Sequence, residues 1–136
     1  MASLDDILTA AKNLVVAVNN LGTYMTNYYT LERGAPITPS AATTSVSTLY
    51  TVPSNIQFQL QELDIINTTG ATATFTIYIV PPNGTATQSN ALFYSAPISG
   101  NTTVQWRGGL ALAGGSTIQA FASVTTVTFK IAGGAI

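Results

Sequence analysis

The chain has 136 residues, 46% hydrophobic and only 7% charged, with no cysteine, no histidine and a net charge of -1. The missing cysteines exclude disulfides and thiolate metal sites, and the missing histidines remove the commonest general base and metal ligand. Lys12, Arg33, Arg107 and Lys130 are scattered, so no basic cluster exists to bind the phosphates of a nucleic acid.

This length suits one compact domain with an appendage. With so little charge, the surface must be made of Thr, Ser, Asn, Gln and Gly, which points to a subunit that buries much of itself in an assembly. Residues 1–6 carry Asp5 and Asp6 and no basic residue, so no signal peptide is expected. The apolar stretch that follows is broken by Lys12, Asn13, Asn19 and Asn20, short of the run of about 18 apolar residues that a membrane helix requires. Synthesis in the cytoplasm followed by assembly, without membrane insertion, is the expectation.

The N-terminal third is periodic. Leu4, Ala11, Val18 and Met25 recur every seven residues, as do Ile7, Leu14, Leu21 and Tyr28, and Leu8, Val15, Gly22 and Tyr29 lie beside them. These are positions a, d and e of a heptad. Ser3 with Asp6 fits a capping box and starts the helix near Leu4, and Asp5 and Asp6 suit the positive end of the helix dipole. A helix of about 26 residues would be roughly 39 Å long, more than a lid on a small sandwich needs.

The helix could fold back on its own sheet or bundle with other copies. The strict seven-residue spacing favours the bundle, because it bends the apolar stripe into a supercoil seam. The wide stripe and mixed aliphatic a and d positions favour three helices. The oligomerising set is Leu4, Ile7, Leu8, Ala11, Leu14, Val15, Val18, Leu21, Met25 and Tyr28. Val16 lies off the stripe, and Tyr24, Tyr28 and Tyr29 are expected to form a collar.

Glu32-Arg33-Gly34-Ala35-Pro36 ends the helix. The segment from Gly34 to Ser47, with Pro36, Pro39 and many small polar residues, reads as an extended linker. The expected domains are therefore an oligomerising helix over 1–33, a linker over 34–47 and a β-sandwich over 48–136.

From Val46 the period becomes two. Ile56, Phe58 and Leu60 share one face, and then Leu63 and Ile65 take the opposite parity, which predicts a β-bulge near Gln61–Glu62. Ala73, Phe75, Ile77 and Ile79 alternate with Thr72, Thr74, Thr76 and Tyr78, and Asn67–Gly70 and Pro81–Gly84 are turns. With shorter strands at Ser47–Val52, Ala91–Ser95, Thr102–Trp106, Ser116–Ala122 and Thr126–Ile131, this makes about seven strands, as in an antiparallel, jelly-roll-like sandwich.

Glu62 and Asp64 are the only acids of the β domain. Two carboxylates could serve glycoside hydrolysis, but a solvent-facing or interface pair is the preferred reading. Serine has no histidine to activate it, and Gly108-Gly109 and Gly114-Gly115 match no phosphate loop. The chain reads as a non-enzyme without cofactor or metal. Tyr50, Tyr78, Tyr94, Trp106 and Arg107, with Phe93, could contact a glycan receptor or fill the core and subunit contacts, and the second reading is preferred.

Several runs resemble a module of tailed-phage and prophage structural proteins. They are Tyr50-Thr51-Val52-Pro53, Leu63-Asp64-Ile65-Ile66-Asn67-Thr68-Thr69-Gly70, Ile77-Tyr78-Ile79-Val80-Pro81 and Ala113-Gly114-Gly115-Ser116-Thr117-Ile118-Gln119-Ala120. Met1-Ala2-Ser3-Leu4-Asp5-Asp6-Ile7-Leu8, with Asn19-Asn20-Leu21, resembles the helices that often precede that module. The motifs are turns and core strands, and the similarity covers most of the chain. The resemblance implies a virion protein of head-fibre, decoration or tail-fibre type, and it carries over no catalytic residues. The expectation is a homotrimeric fibre partnered by itself, by other virion proteins and, as a further candidate, by a host surface glycan. The alternative is a capsid decoration or cement protein, and the remote alternative is a carbohydrate-binding module or glycan-active enzyme.

Overall fold

A computed structural model describes residues 2–32 and 37–136, with side chains and burial described for all of these except Tyr24 and residues 26–39. Arg33–Pro36 therefore lie outside the described residues. Among the described residues one α-helix, α1 (Leu4–Glu32), precedes eight strands. These are β1 (Ile37–Ala41), β2 (Ser47–Thr51), β3 (Phe58–Asn67), β4 (Ala73–Val80), β5 (Ala91–Ile98), β6 (Thr102–Leu112), β7 (Thr117–Ala122) and β8 (Val127–Ala135).

The capping box forms as expected. Asp6 N–H donates to Ser3 Oγ at 3.1 Å, and Ser3 N–H donates to Asp6 Oδ2 at 3.1 Å. Two backbone donors that have no partner inside the helix are thereby satisfied.

The strands form two antiparallel four-stranded sheets, sheet A in the order β1-β8-β3-β6 and sheet B in the order β2-β7-β4-β5. The outermost strands in sequence pair first: β1 with β8, β2 with β7, β3 with β6 and β4 with β5. One long antiparallel hairpin, turning between β4 and β5, is thus rolled so that successive pairs fall alternately on the two sheets. The additional pairs β3–β8 and β4–β7 close each sheet. This is a jelly roll.

Side-chain alternation explains why the roll closes. Phe58, Leu60, Leu63 and Ile65 of β3, Phe75 and Ile77 of β4, Ile118 of β7 and Val127 of β8 are each at most 1% exposed. Burying one such side chain contributes roughly 1.5–3 kcal/mol. The parity change in β3 is a bulge: register slips between Leu60 and Glu62 against both β6 and β8. Beside it, Gly133 lies opposite Leu60, and a Cβ there would run into Gln59 O and the Phe58 ring. Glycine lets β8 approach β3 at the kink.

The sequence reading missed one strand. The stretch taken for a linker contains β1, which pairs with β8 from Ile37 opposite Ile131 to Ala41 opposite Thr128. Its Pro39 and small polar residues mask a strand signal, yet β1 is an edge strand, where proline is tolerated. β5 and β6 also run longer than expected, through Pro97 of edge strand β5 and past Gly108-Gly109 of edge strand β6.

Candidate interaction surfaces

The helix leaves its apolar stripe uncovered. Leu4, Ile7, Leu8, Leu14, Val15, Val18, Leu21 and Met25 are 50–80% exposed, and Ala11 and the off-stripe Val16 are exposed as well. α1 approaches β8, but its stripe over these residues is not folded onto the sandwich. The side chains of Tyr24, Tyr28 and Tyr29 lie outside the described residues. The face that the heptad pattern marks as buried is therefore open in a single chain, and its spacing suits another helix.

The sandwich has a second distinctive surface, on the outer face of sheet A. Its only charged residues are Glu62, Asp64, Arg107 and Lys130. β3, β6 and β8 bring all four onto that face: Asp64 and Lys130 each sit between buried neighbours, and Glu62 and Arg107 stand opposite each other beside the β3 bulge. Glu62 stands opposite Arg107, and Asp64 stands opposite both Gln105 and Lys130. Gln105 Nε2 donates to Glu62 Oε1 at 3.0 Å and to Asp64 Oδ1 at 2.9 Å. Arg107 Nε lies 3.7 Å from Glu62 Oε2, with the Arg107 side chain 70% exposed, so the pair adds little stability. The two carboxylates thus share one amide donor on an open sheet face.

The aromatic set does not come together. Tyr78 is 7% exposed and stacks on Phe121 with ring centroids 6.4 Å apart, so it is no surface contact. Trp106 and Tyr50 are half-buried against the core. The Tyr50 ring lies 4.9 Å from that of Phe58. The Tyr50 hydroxyl is buried with no hydrogen-bond partner among the described residues, and burial raises its pKa from the ordinary 10.0.

Tyr94, 52% exposed, is the outlier. Register slips in β5 so that Tyr94 and Ser95 both face Thr76. Ser95 takes a left-handed φ of 47°, and its N–H donates to the buried Thr76 Oγ1 at 3.0 Å. The resulting bulge turns Tyr94 outward. Tyr94 on sheet B and Arg107 on sheet A are the exposed members of the set, and they lie on different sheets.

Where β3 ends and β6 and β8 begin, Ile66, Asn67, Thr68, Asn101, Thr102 and Thr103 line an open groove of about 250 Å³. Asn67, 1% exposed, fixes this end. Its Nδ2 donates to the carbonyls of Ala71 (2.8 Å), Ile98 (3.2 Å) and Ser99 (3.3 Å), and its Oδ1 accepts from the N–H and hydroxyl of Thr69. Sequence reasoning missed Gln105, Asn101 and Thr103. Only the β3–β6 register places Gln105 beside Asp64 and Thr103 beside Ile66, with Asn101 just ahead of β6, and no local motif signals that pairing. Among the described residues no group of three or more acidic side chains could hold a metal ion.

No family model matches the chain, and no curated protein matches it. Similar solved structures include two of one virus. One is a chain of infectious bursal disease virus, Gx strain, at 12% identity and a TM-score of 0.38, over 76% of this chain and 28% of that one. The other is from the crystal structure of the T13 viral particle of the same virus, at 12% identity and a TM-score of 0.38, over 73% of this chain and 28% of that one. This chain thus spans about 28% of the length of the viral chains it matches, and so distant a likeness adds no argument about function.

Proposed function

We propose that this chain is a structural, non-catalytic component of a bacteriophage particle: a small homotrimeric fibre whose helices bundle and whose jelly roll is presented to the host surface. The observation that carries this reading is the heptad stripe, whose eight large apolar side chains among the described residues are all at least half exposed in the single chain. If each buried leucine or isoleucine contributes roughly 1.5–3 kcal/mol, self-association through the stripe is strongly favoured. The scarcity of charge fits a subunit of an assembly. The resemblance of the β-strand and turn motifs to phage structural modules supplies the particle.

The test is the mass of the purified chain by light scattering, with and without residues 1–33. A trimer that falls to a monomer on truncation supports the bundle. A monomer in both forms retires it. The intact oligomer is then offered to host cells and to empty capsids. Binding to cells supports the fibre, whereas binding to shells, with a rise in their thermal stability, makes the chain a decoration protein instead.

A further inference from the structure

The groove at the end of sheet A combines a fixed wall with unspent polar groups. Thr68 Oγ1 donates to Thr126 O at 3.0 Å and Thr102 Oγ1 to Ser99 O at 2.7 Å, so these hydroxyls hold the loops. Asn101 sits at a φ of 54°, its N–H donating to Thr69 O at 2.7 Å. The Asn101 side-chain amide and the Thr103 hydroxyl make no hydrogen bond among the described residues, although both line the groove. Ile66, opposite Thr103 in register, adds a small apolar surface.

No lining residue is charged. From Ile66 and Thr103 the outer face continues in register to Asp64, Gln105 and Lys130, and then to Glu62 and Arg107. Two carboxylates and two cations balance along this path. A polyanion or a polycation would meet as much repulsion as attraction there. A neutral ligand rich in hydroxyls meets alternating donors and acceptors instead, and its C–H face has Ile66 to rest on.

We propose that this groove binds one ring of a neutral saccharide, with Asn101 and Thr103 hydrogen-bonding its hydroxyls and the next unit lying along Asp64 and Gln105. A volume below the roughly 300–1,000 Å³ of drug-sized pockets suits a single ring. This proposal rests on the host-contact part of the fibre reading and names its ligand class. β1 runs from Ile37 toward this end of the sheet, so the groove lies about 13 Å along the strands beyond the point where β1 begins, at roughly 3.3 Å per residue.

The test is a titration of the full-length, 15N-labelled chain with methyl glucoside, methyl galactoside and N-acetylglucosamine, followed by amide chemical shifts. At least one sugar should give saturable shifts confined to residues 66–68 and 101–103, with a millimolar Kd. Asn101→Gly keeps the left-handed turn and removes the amide, and Thr103→Val keeps the shape and removes the hydroxyl. Each should weaken binding about tenfold, or about 1.4 kcal/mol. No saturable shift at the groove with any of the three sugars, or unchanged affinity in both variants, overturns the proposal. An intact trimer that binds host cells equally well in both variants overturns the groove and leaves the fibre standing. Groove binding by a chain that coats shells and ignores cells supports the groove and sinks the fibre.

Discussion

The helix and the jelly roll are both written as regular apolar patterns, one with period seven and one with period two, yet a single chain completes only one of them. In the sandwich every inward row finds a facing row, and Leu60, Ile65, Ile77 and Ile118 lose all exposure. In the helix the equivalent rows of Leu14, Val18 and Leu21 stay more than half exposed. The difference lies in geometry. A rolled hairpin presents two sheets to each other, whereas one helix has a seam and nothing opposite it. The sandwich is therefore expected to fold as a unimolecular unit, and the helix to be stabilised in proportion to concentration.

That contrast can be broken most decisively in the helix. Leu14→Asp combined with Leu21→Asp should abolish the oligomer while leaving the thermal midpoint of the sandwich nearly unchanged. A double variant that remains trimeric by light scattering would falsify the seam. Within the sandwich, Leu60→Ala should cost about 2–5 kcal/mol in urea unfolding of the monomeric form, because the cavity has no solvent route to close it. Asn67→Ala should cost about 2–3 kcal/mol by the same measurement, since it leaves the Ala71, Ile98 and Ser99 carbonyls without their shared donor. The oligomer mass should be insensitive to both changes.

The smallest expected effect has the opposite sign. The Tyr50 hydroxyl is buried without a partner among the described residues, so Tyr50→Phe should be neutral or stabilise the sandwich by up to about 1 kcal/mol. Burial raises the phenol pKa in the folded state, so the neutral form is the one the fold prefers. Stability from this group is full below the unfolded value near 10 and is lost as pH climbs above it. Tyr50→Phe should flatten that alkaline loss, and an unchanged slope of unfolding free energy between neutral and strongly alkaline pH would exclude Tyr50 as its source.

Much of this architecture is legible in the residues themselves. The change of parity between Leu60 and Leu63 marks the bulge, and Ser3 with Asp6 marks the cap, because both are local. β1 is illegible because an edge strand tolerates proline and needs little apolar character. The position of Tyr78 misleads for another reason. Its parity puts it on the outer face with Thr74 and Thr76, but Phe121 of the neighbouring strand covers it there. The charged row and the groove depend on β3, β6 and β8 lying side by side. Strand order is a property of the whole roll, and Glu62 carries no mark of its pairing with Arg107 across 45 residues of chain.

The antiparallel pairing of β1 with β8 also has a mechanical meaning. A pull on the helix reaches the sandwich at Ile37 and is directed along β1, whose bonds to β8 extend from Ile131 to Thr128, with Ala42 N–H adding a bond of 2.7 Å to Val127 O. Tension along a strand loads such bonds side by side, in shear, instead of peeling them one after another. A head tethered in this way should resist a steady tug until the whole short ladder gives at once, and a proline placed at Ala42, where the N–H is in use, would lower the force at which it does.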